Sequence, residues 1–110
     1  MQVAQLGPQD AKKAIEAGAT ILDVREQDEW DAGHLAGSVH LPLSELAGRL
    51  DDVPPGDRLL VVCRSGVRSD MVATHLDRGG RSGLANLAGG LQAWAAAGLP
   101  LEPDGHGTVA

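Results

Sequence analysis

Apolar residues in this chain occur in short segments separated by stretches in which they recur at helical spacing. The short segments cover residues 2–6, 20–24, 39–41, 59–62 and 83–87, and among them 59–62 is apolar without interruption. A continuous apolar run is typical of a strand that is covered on both faces. Because strands that alternate with helices form a parallel sheet with helices on both faces, the pattern predicts an α/β domain.

Helical spacing of apolar residues predicts a helix after each of these strands. Pro8 suits the first position of the first helix, and Gly79 and Gly80 end the helix that follows residue 66. Two further predictions are that residues 51–57, with two prolines, form a loop and that both tryptophans lie in the core. The residues at helical spacing are Ala11, Ala14, Ile15, Leu43, Leu46, Ala47, Leu50, Val67, Met71, Val72, His75, Leu76, Leu91, Trp94 and Ala95. The first and last helices are predicted to face the core through Ala11, Ala14, Ile15, Leu91, Trp94 and Ala95, and Met71 is predicted to pack.

Length and composition favour one domain. The chain has 110 residues and is 43% hydrophobic, enough for a single buried core. We place the domain over residues 1–100. Residues 101–110 contain proline, aspartate and glycine, and we expect them to form a flexible C-terminal tail.

Charge and cysteine content exclude several classes of partner. The formal net charge of -6 argues against binding nucleic acid or an anionic membrane surface. A single cysteine permits no internal disulfide, and the sequence shows neither a signal peptide nor an apolar stretch of roughly 20 residues, so we expect a cytoplasmic protein. No metal site and no cofactor are predicted, since the histidines make no ligand pattern with Cys63: His34, His40, His75 and His106.

The candidate chemistry lies where the strand 59–62 ends. Cys63 follows this strand, and a short basic turn with Gly66 at its centre leads directly into a helix. Ligands of open α/β sheets bind at the carboxyl ends of strands, and the free N–H groups of a helix start favour anions. A thiolate is stabilised at a helix N-terminus and beside arginines. A lone cysteine that ends an apolar strand is usually a packing residue, but the basic, glycine-containing turn favours a reactive thiolate.

A second polar group ends the strand 20–24. Asp23 and Arg25 are predicted to lie at the same sheet edge as Cys63. We interpret Asp23, Arg25 and Glu29 as structural support, with Arg25 paired to Glu29 and holding the loop. His34 is interpreted as a hydrogen-bonded structural residue.

Three segments carry a resemblance to one family. The turn resembles the active-site loop of rhodanese-like sulfurtransferases, and the segments 23–42 and 86–94 resemble the flanking signatures of that family. The three motifs occur in the family's order, and the likeness spans roughly residues 3–100. The residues of the turn are Cys63, Arg64, Ser65, Gly66, Val67, Arg68 and Ser69.

The resemblance implies a five-stranded, mostly parallel sheet with the cysteine loop at its centre. It implies that Cys63 takes the outer sulfur of a donor such as thiosulfate and passes it to cyanide or a thiol. A protein persulfide is a further class of donor. The loop residues 64–69 would bind the substrate: their N–H groups would stabilise the persulfide, Arg64 would bind the donor and Arg68 would brace the loop.

Other functions fit parts of the same pattern. A cysteine–arginine cradle also suits a phosphatase, but phosphatases of related fold have five residues between cysteine and arginine, whereas four separate Cys63 from Arg68. The shorter loop leaves less room for a tetrahedral phosphate. Arsenate reduction is a related alternative. A sulfur carrier that docks on a partner enzyme is the third.

Overall fold

The computed structural model describes residues 3–103, 105 and 107–110 and has the alternating element order that the sequence predicts. Gln2 and His106, which entered the predictions above, lie outside the described residues. In chain order the elements are β1 (Ala4–Leu6), α1 (Pro8–Glu16), β2 (Thr20–Asp23), α2 (Gln27–Ala32), β3 (Val39–His40), α3 (Leu43–Leu46), a 3₁₀ turn (Leu50–Asp52), β4 (Leu59–Val62), α4 (Val67–Arg78), β5 (Leu84–Leu87) and α5 (Gly90–Ala96).

Within the described residues, five strands form one sheet in the order β1-β5-β4-β2-β3. Each of the four pairings is parallel. Strand β4 is central, and Asp23 at the end of β2 lies beside Val62 at the end of β4. The predicted α/β class and five-stranded parallel sheet are therefore confirmed, and the loop after β4 lies at the middle of the sheet edge.

The core has two layers because β4 is buried on both faces. Leu59 and Val61 pack in one layer with residues of α3 and α4, whereas Leu60 and Val62 pack in the other with residues of α1 and α5. Four consecutive apolar residues are therefore needed to fill both sides of this strand. The result is a rigid platform for the loop that begins at Cys63.

Helix α4 packs through only part of the side that was predicted. Its buried residues are Ser69, Val72 and Ala73, and Leu76 packs against the core, whereas Val67 and Met71 are 64% and 60% exposed. Small side chains at 69 and 73 allow the helix to lie close to the sheet. The predicted packing of Met71 is wrong, and Val67 and His75 are exposed as well.

The two tryptophans have different environments. Trp94 is buried in the core, as predicted. Trp30 is only half-buried and does not belong to the core; its ring stacks between His34, 3.8 Å away between ring centroids, and His40, 4.7 Å away. The prediction that Trp30 is a core residue is therefore wrong. A stack with two imidazole rings keeps this large side chain in place at the edge of the domain.

The chain after residue 100 contacts the domain at several points. Leu101 is buried, Glu102 and His34 exchange backbone hydrogen bonds, and the Thr108 N–H donates to the Ala32 carbonyl. The flexibility of residues 101–110 stays a prediction.

In the described part of the chain, no helix has the length and apolar character needed to cross a bilayer. Location in the cytoplasm stays a prediction.

Candidate active site

The sulfur of Cys63 lies in a cradle of hydrogen-bond donors. The Gly66 N–H is 3.1 Å from Sγ, the Ser69 N–H is 3.4 Å away and the Ser69 Oγ is 3.3 Å away. Gly66 has φ +94°, a left-handed conformation, and directly precedes α4. This turn directs the backbone N–H groups of Gly66 and Ser69 at the sulfur.

The cradle favours the thiolate form of Cys63. Burial is the largest single influence and by itself raises the pKa of the Cys63 thiol. Hydrogen bonds from the Ser69 hydroxyl and from the backbone N–H groups of Ser69, Gly66 and Ser65 act in the opposite direction. Together they outweigh burial, so the pKa lies below its ordinary value. The site can therefore stabilise negative charge on sulfur without a histidine base.

The start of helix α5 binds the backbone carbonyl groups of the loop. The Leu91 N–H donates to the Cys63 carbonyl at 2.9 Å, and the Gln92 N–H donates to the Arg64 carbonyl at 3.0 Å. Gly90, with φ +63°, packs so tightly against the backbone of Arg64 and Ser65 that a Cβ atom there would collide with it. The loop is thus fixed at both its carbonyl and its N–H groups.

Arg68 braces the loop through Glu29. Its Nη1 and Nη2 donate to Oε1 and Oε2 of Glu29, both at 2.7 Å. This bidentate pair joins the first turn of α4 to α2. Hydrogen bonding to Arg68, which outweighs the opposing effect of burial, lowers the pKa of Glu29 to about 2.

Arg25 has a partner different from the one predicted. It forms its ion pair with Asp23, with Nη2 2.8 Å from Oδ2, and donates to the backbone carbonyls of Glu29 and Gly33. The predicted Arg25–Glu29 ion pair is therefore wrong, because the Glu29 carboxylate is bound by Arg68. Asp23 and Arg25 do lie at the same sheet edge as Cys63, as predicted.

Arg64, Ser65 and Val67 form the exposed rim of the loop. Arg64 Nε donates to the Ala110 carbonyl at 2.7 Å, so its guanidinium reaches the C-terminal residues of the chain. Its position on the rim is consistent with the outward direction expected from the sequence.

Sequence reasoning missed a buried polar neighbour of the cradle. Asn86 on β5 is only 3% exposed and accepts a 2.5 Å hydrogen bond from the Ser69 Oγ. Its Nδ2 donates to Gln5 on β1 and to the Gly66 carbonyl. An asparagine within the otherwise apolar run Leu-Ala-Asn-Leu was the available signal, since buried polar side chains require partners.

The Glu29–Arg68 pair predicts a pH-dependent contribution to stability. Because the pKa of Glu29 falls from 4.5 to about 2 on folding, the pair stabilises the fold above pH 4.5 and loses this effect as the pH falls toward 2. Glu29→Gln should cost about 1–2 kcal/mol of unfolding free energy near neutral pH, allowing for solvent screening.

Urea unfolding of the wild type and Glu29→Gln at several pH values measures this difference, and exposed Glu16→Gln controls for net charge. If the difference in unfolding free energy between wild type and Glu29→Gln stays constant down to pH 3, the pH dependence does not come from the Glu29–Arg68 pair.

Comparison with known proteins identifies the family of this chain. The family model for the rhodanese-like domain matches residues 7–97. The chain belongs to the rhodanese-like family. A rhodanese-related protein from Thermoplasma volcanium has a similar structure, with a TM-score of 0.81, 30% sequence identity, and coverage of 90% of this chain and 97% of that one.

Curated relatives of this rhodanese-like domain include a sulfurtransferase of Allochromatium vinosum, 33% identical over 77% of this chain and 80% of that protein. A thiosulfate sulfurtransferase of Arabidopsis thaliana is 34% identical over 78% of this chain and 82% of the relative. The domain spans only 40% to 60% of the length of three further relatives, from Bacillus subtilis and Mycobacterium tuberculosis.

Proposed function

We propose that this protein is a rhodanese-type sulfurtransferase that carries sulfane sulfur on Cys63. The Cys63 thiolate attacks the outer sulfur of a donor such as thiosulfate, the donor S–S bond breaks, and sulfite leaves with the electron pair. A thiol or cyanide then attacks the outer sulfur of the persulfide. Cys63 leaves as a thiolate, so the cycle closes with no cofactor.

The observation that carries this proposal is the cradle around Cys63. N–H groups of Gly66 and Ser69 point at Sγ, and the pKa of the thiol is lowered. The same loop N–H groups, from Ser65 to Ser69, are suited to hold the terminal sulfur of a persulfide anion. The compact loop, with four residues between Cys63 and Arg68, favours one sulfur atom over a tetrahedral phosphate.

The two loop arginines have separate proposed roles. Arg68 is bound on both nitrogens by Glu29, so it braces the loop. Arg64 lies on the exposed rim and is the cation available to an incoming anionic donor. Asp23, Arg25 and Glu29 support the loop and take no part in the chemistry.

Access to the sulfur requires movement. Cys63 is 0% exposed, so a donor reaches Sγ only after neighbouring atoms move aside. The Ala110 contact of Arg64 lies at this rim, and its release would free the guanidinium for the donor.

A sulfur carrier is the second candidate function. One Bacillus subtilis relative, 36% identical to this chain, is provisionally named a sulfur carrier protein, although the chain covers only 40% of it. A carrier would use the same Cys63 persulfide and receive the sulfur from a protein donor. The two functions therefore differ in the donor and acceptor and share the intermediate.

The decisive experiment is the intact mass of the protein before and after incubation with thiosulfate, and again after cyanide. We expect a gain of one sulfur atom that cyanide removes, and no gain in Cys63→Ser. Loading from a protein persulfide but not from thiosulfate would favour the carrier. Absence of sulfur on Cys63 with thiosulfate, polysulfide and persulfide donors would overturn the proposal.

A further inference from the structure

The Ser69 hydroxyl lies between two groups that both accept hydrogen bonds. Its oxygen is 3.3 Å from the Cys63 sulfur and 2.5 Å from Asn86 Oδ1. A hydroxyl has one proton and can donate it to only one acceptor at a time. The sulfur and the amide oxygen therefore compete for the same proton.

The orientation of the Asn86 side chain follows from its other partners. One neighbour is the Gly66 carbonyl, 3.2 Å away, which can only accept. The amide nitrogen must therefore face Gly66, and the amide oxygen must face Ser69. The nitrogen also donates to Gln5 Oε1 at 2.9 Å.

The same reasoning orients Gln5. Its Nε2 donates to the Asp70 carboxylate at 2.8 Å, so its oxygen faces Asn86. Hydrogen bonds thus run in one direction from Ser69 through Asn86 and Gln5 to a carboxylate. Such a chain polarises its members and makes Asn86 Oδ1 a stronger acceptor.

We propose that Asn86 is a positioning residue that competes with Cys63 for the proton of Ser69. With a neutral thiol, Ser69 donates to Asn86 and its oxygen is free to accept the Cys63 S–H. When the thiol loses its proton to solvent, the Ser69 hydroxyl rotates and donates to the sulfur. When the sulfur forms a bond to a donor atom, the hydroxyl returns to Asn86. No covalent bond of Ser69 or Asn86 changes.

This competition suits a cysteine that must be both nucleophile and leaving group. A hydrogen bond stabilises a thiolate, but a more stable thiolate is a weaker nucleophile. Asn86 offers Ser69 an alternative partner and so reduces the free energy lost when the Ser69–sulfur bond is broken in the attack. This benefit rests on the proposed sulfur transfer, whereas the competition itself does not.

The test is the rate of Cys63 alkylation by iodoacetamide as a function of pH, measured on the full chain. The midpoint of this pH–rate curve reports the ionisation of the thiol. Ser69→Ala removes a donor to the thiolate and should move the midpoint to higher pH. Asn86→Leu releases the Ser69 proton to the sulfur and should move it to lower pH. For Asn86→Leu, we expect the alkylation rate at pH values below the wild-type midpoint to rise about threefold to tenfold. This factor corresponds to the strength of one hydrogen bond.

A double-mutant cycle tests whether Asn86 changes the alkylation midpoint through Ser69. In the Ser69→Ala background, Asn86→Leu should leave the midpoint unchanged, because the contested proton is gone. An equal shift with and without Ser69, or a shift of Asn86→Leu to higher pH, would overturn the proposal. Alkylation measures the competition for the Ser69 proton without any sulfur transfer. A failure of sulfur transfer would therefore contradict the proposed function and would leave the competition unaffected.

A second variant covers the case in which Asn86→Leu does not fold. Gln5 is exposed, and Gln5→Met removes one of the two acceptors of Asn86 Nδ2 with no change of charge. Asn86 Oδ1 then becomes a weaker competitor, and the midpoint should move in the same direction by a smaller amount. A Gln5→Met midpoint equal to that of the wild type, in a protein with wild-type thermal unfolding, would overturn the proposal on its own.

Discussion

Replacement of Arg25 by methionine should lower the free energy of unfolding by about 3–5 kcal/mol. Arg25 and Asp23 are both 0% exposed, and the guanidinium also donates to the backbone carbonyls of Glu29 and Gly33. Methionine fills part of the volume but leaves the Asp23 carboxylate buried without its cation. Denaturant unfolding at neutral pH measures the loss.

Two further variants separate this effect from general loss of charge or contact. The double variant Asp23→Leu/Arg25→Met removes both buried charges and should be more stable than Arg25→Met alone. Arg49 pairs with Glu45 and Asp52 at the surface, so Arg49→Met should change stability little. Equal losses for Arg25→Met and Arg49→Met would show that the buried pair has no special role.

Replacement of Gly90 by alanine should disrupt the Cys63 loop. The new methyl group would meet the backbone of Arg64 and Ser65, and alanine is also unfavourable at φ +63° by about 1–2 kcal/mol. The loop must shift to relieve the collision, and a displacement of the order of 1 Å lowers the rate of a positioned reaction about 100-fold. The rate of sulfur loading onto Cys63, followed by mass, measures this effect.

Gly98 provides the matched control. It has φ +78°, similar to Gly90, but a methyl group added there has open space around it. Gly98→Ala should therefore show only the backbone cost of about 1–2 kcal/mol, with normal sulfur loading. If Gly90→Ala also loads sulfur at the wild-type rate, the contact between α5 and the loop does not control the reaction.

The sequence predicts the sheet well because its signals there are local. Residues 59–62 are apolar without interruption, and such a run is typical of a strand with two buried faces. The turn after it contains the cysteine, the glycine and both arginines within a few residues. The strand count and the central position of the loop follow from the resemblance to the rhodanese-like family, and the strand order is known only from the structure.

The wrong predictions for Met71 and Arg25 share a physical cause. The spacing of residues along the chain does not identify the residue or surface that each side chain contacts. Periodicity places Met71 beside Val72 on α4, but it does not say which side of the helix faces the sheet. Arg25 has four acidic residues within four positions, and in the structure it pairs with Asp23 whereas Arg68 binds Glu29.

The run 84–87 signals that Asn86 needs partners, but local reasoning does not identify them. The hydrogen bond between Ser69 and Asn86 joins α4 to β5, and the bond between Gln5 and Asn86 joins residues 81 positions apart. Contacts of this kind depend on strand order, which short-range patterns do not contain.

The support of the loop by α5 also has a consequence for protein synthesis. A ribosome produces the chain from its N-terminus, and Leu91 and Gln92, which hold the carbonyls of Cys63 and Arg64, are made more than 25 residues after the cysteine. Strand β1 likewise pairs with β5, which is synthesised late. We therefore expect the pKa of the Cys63 thiol to reach its lowered value only after α5 has been synthesised and has packed against the loop.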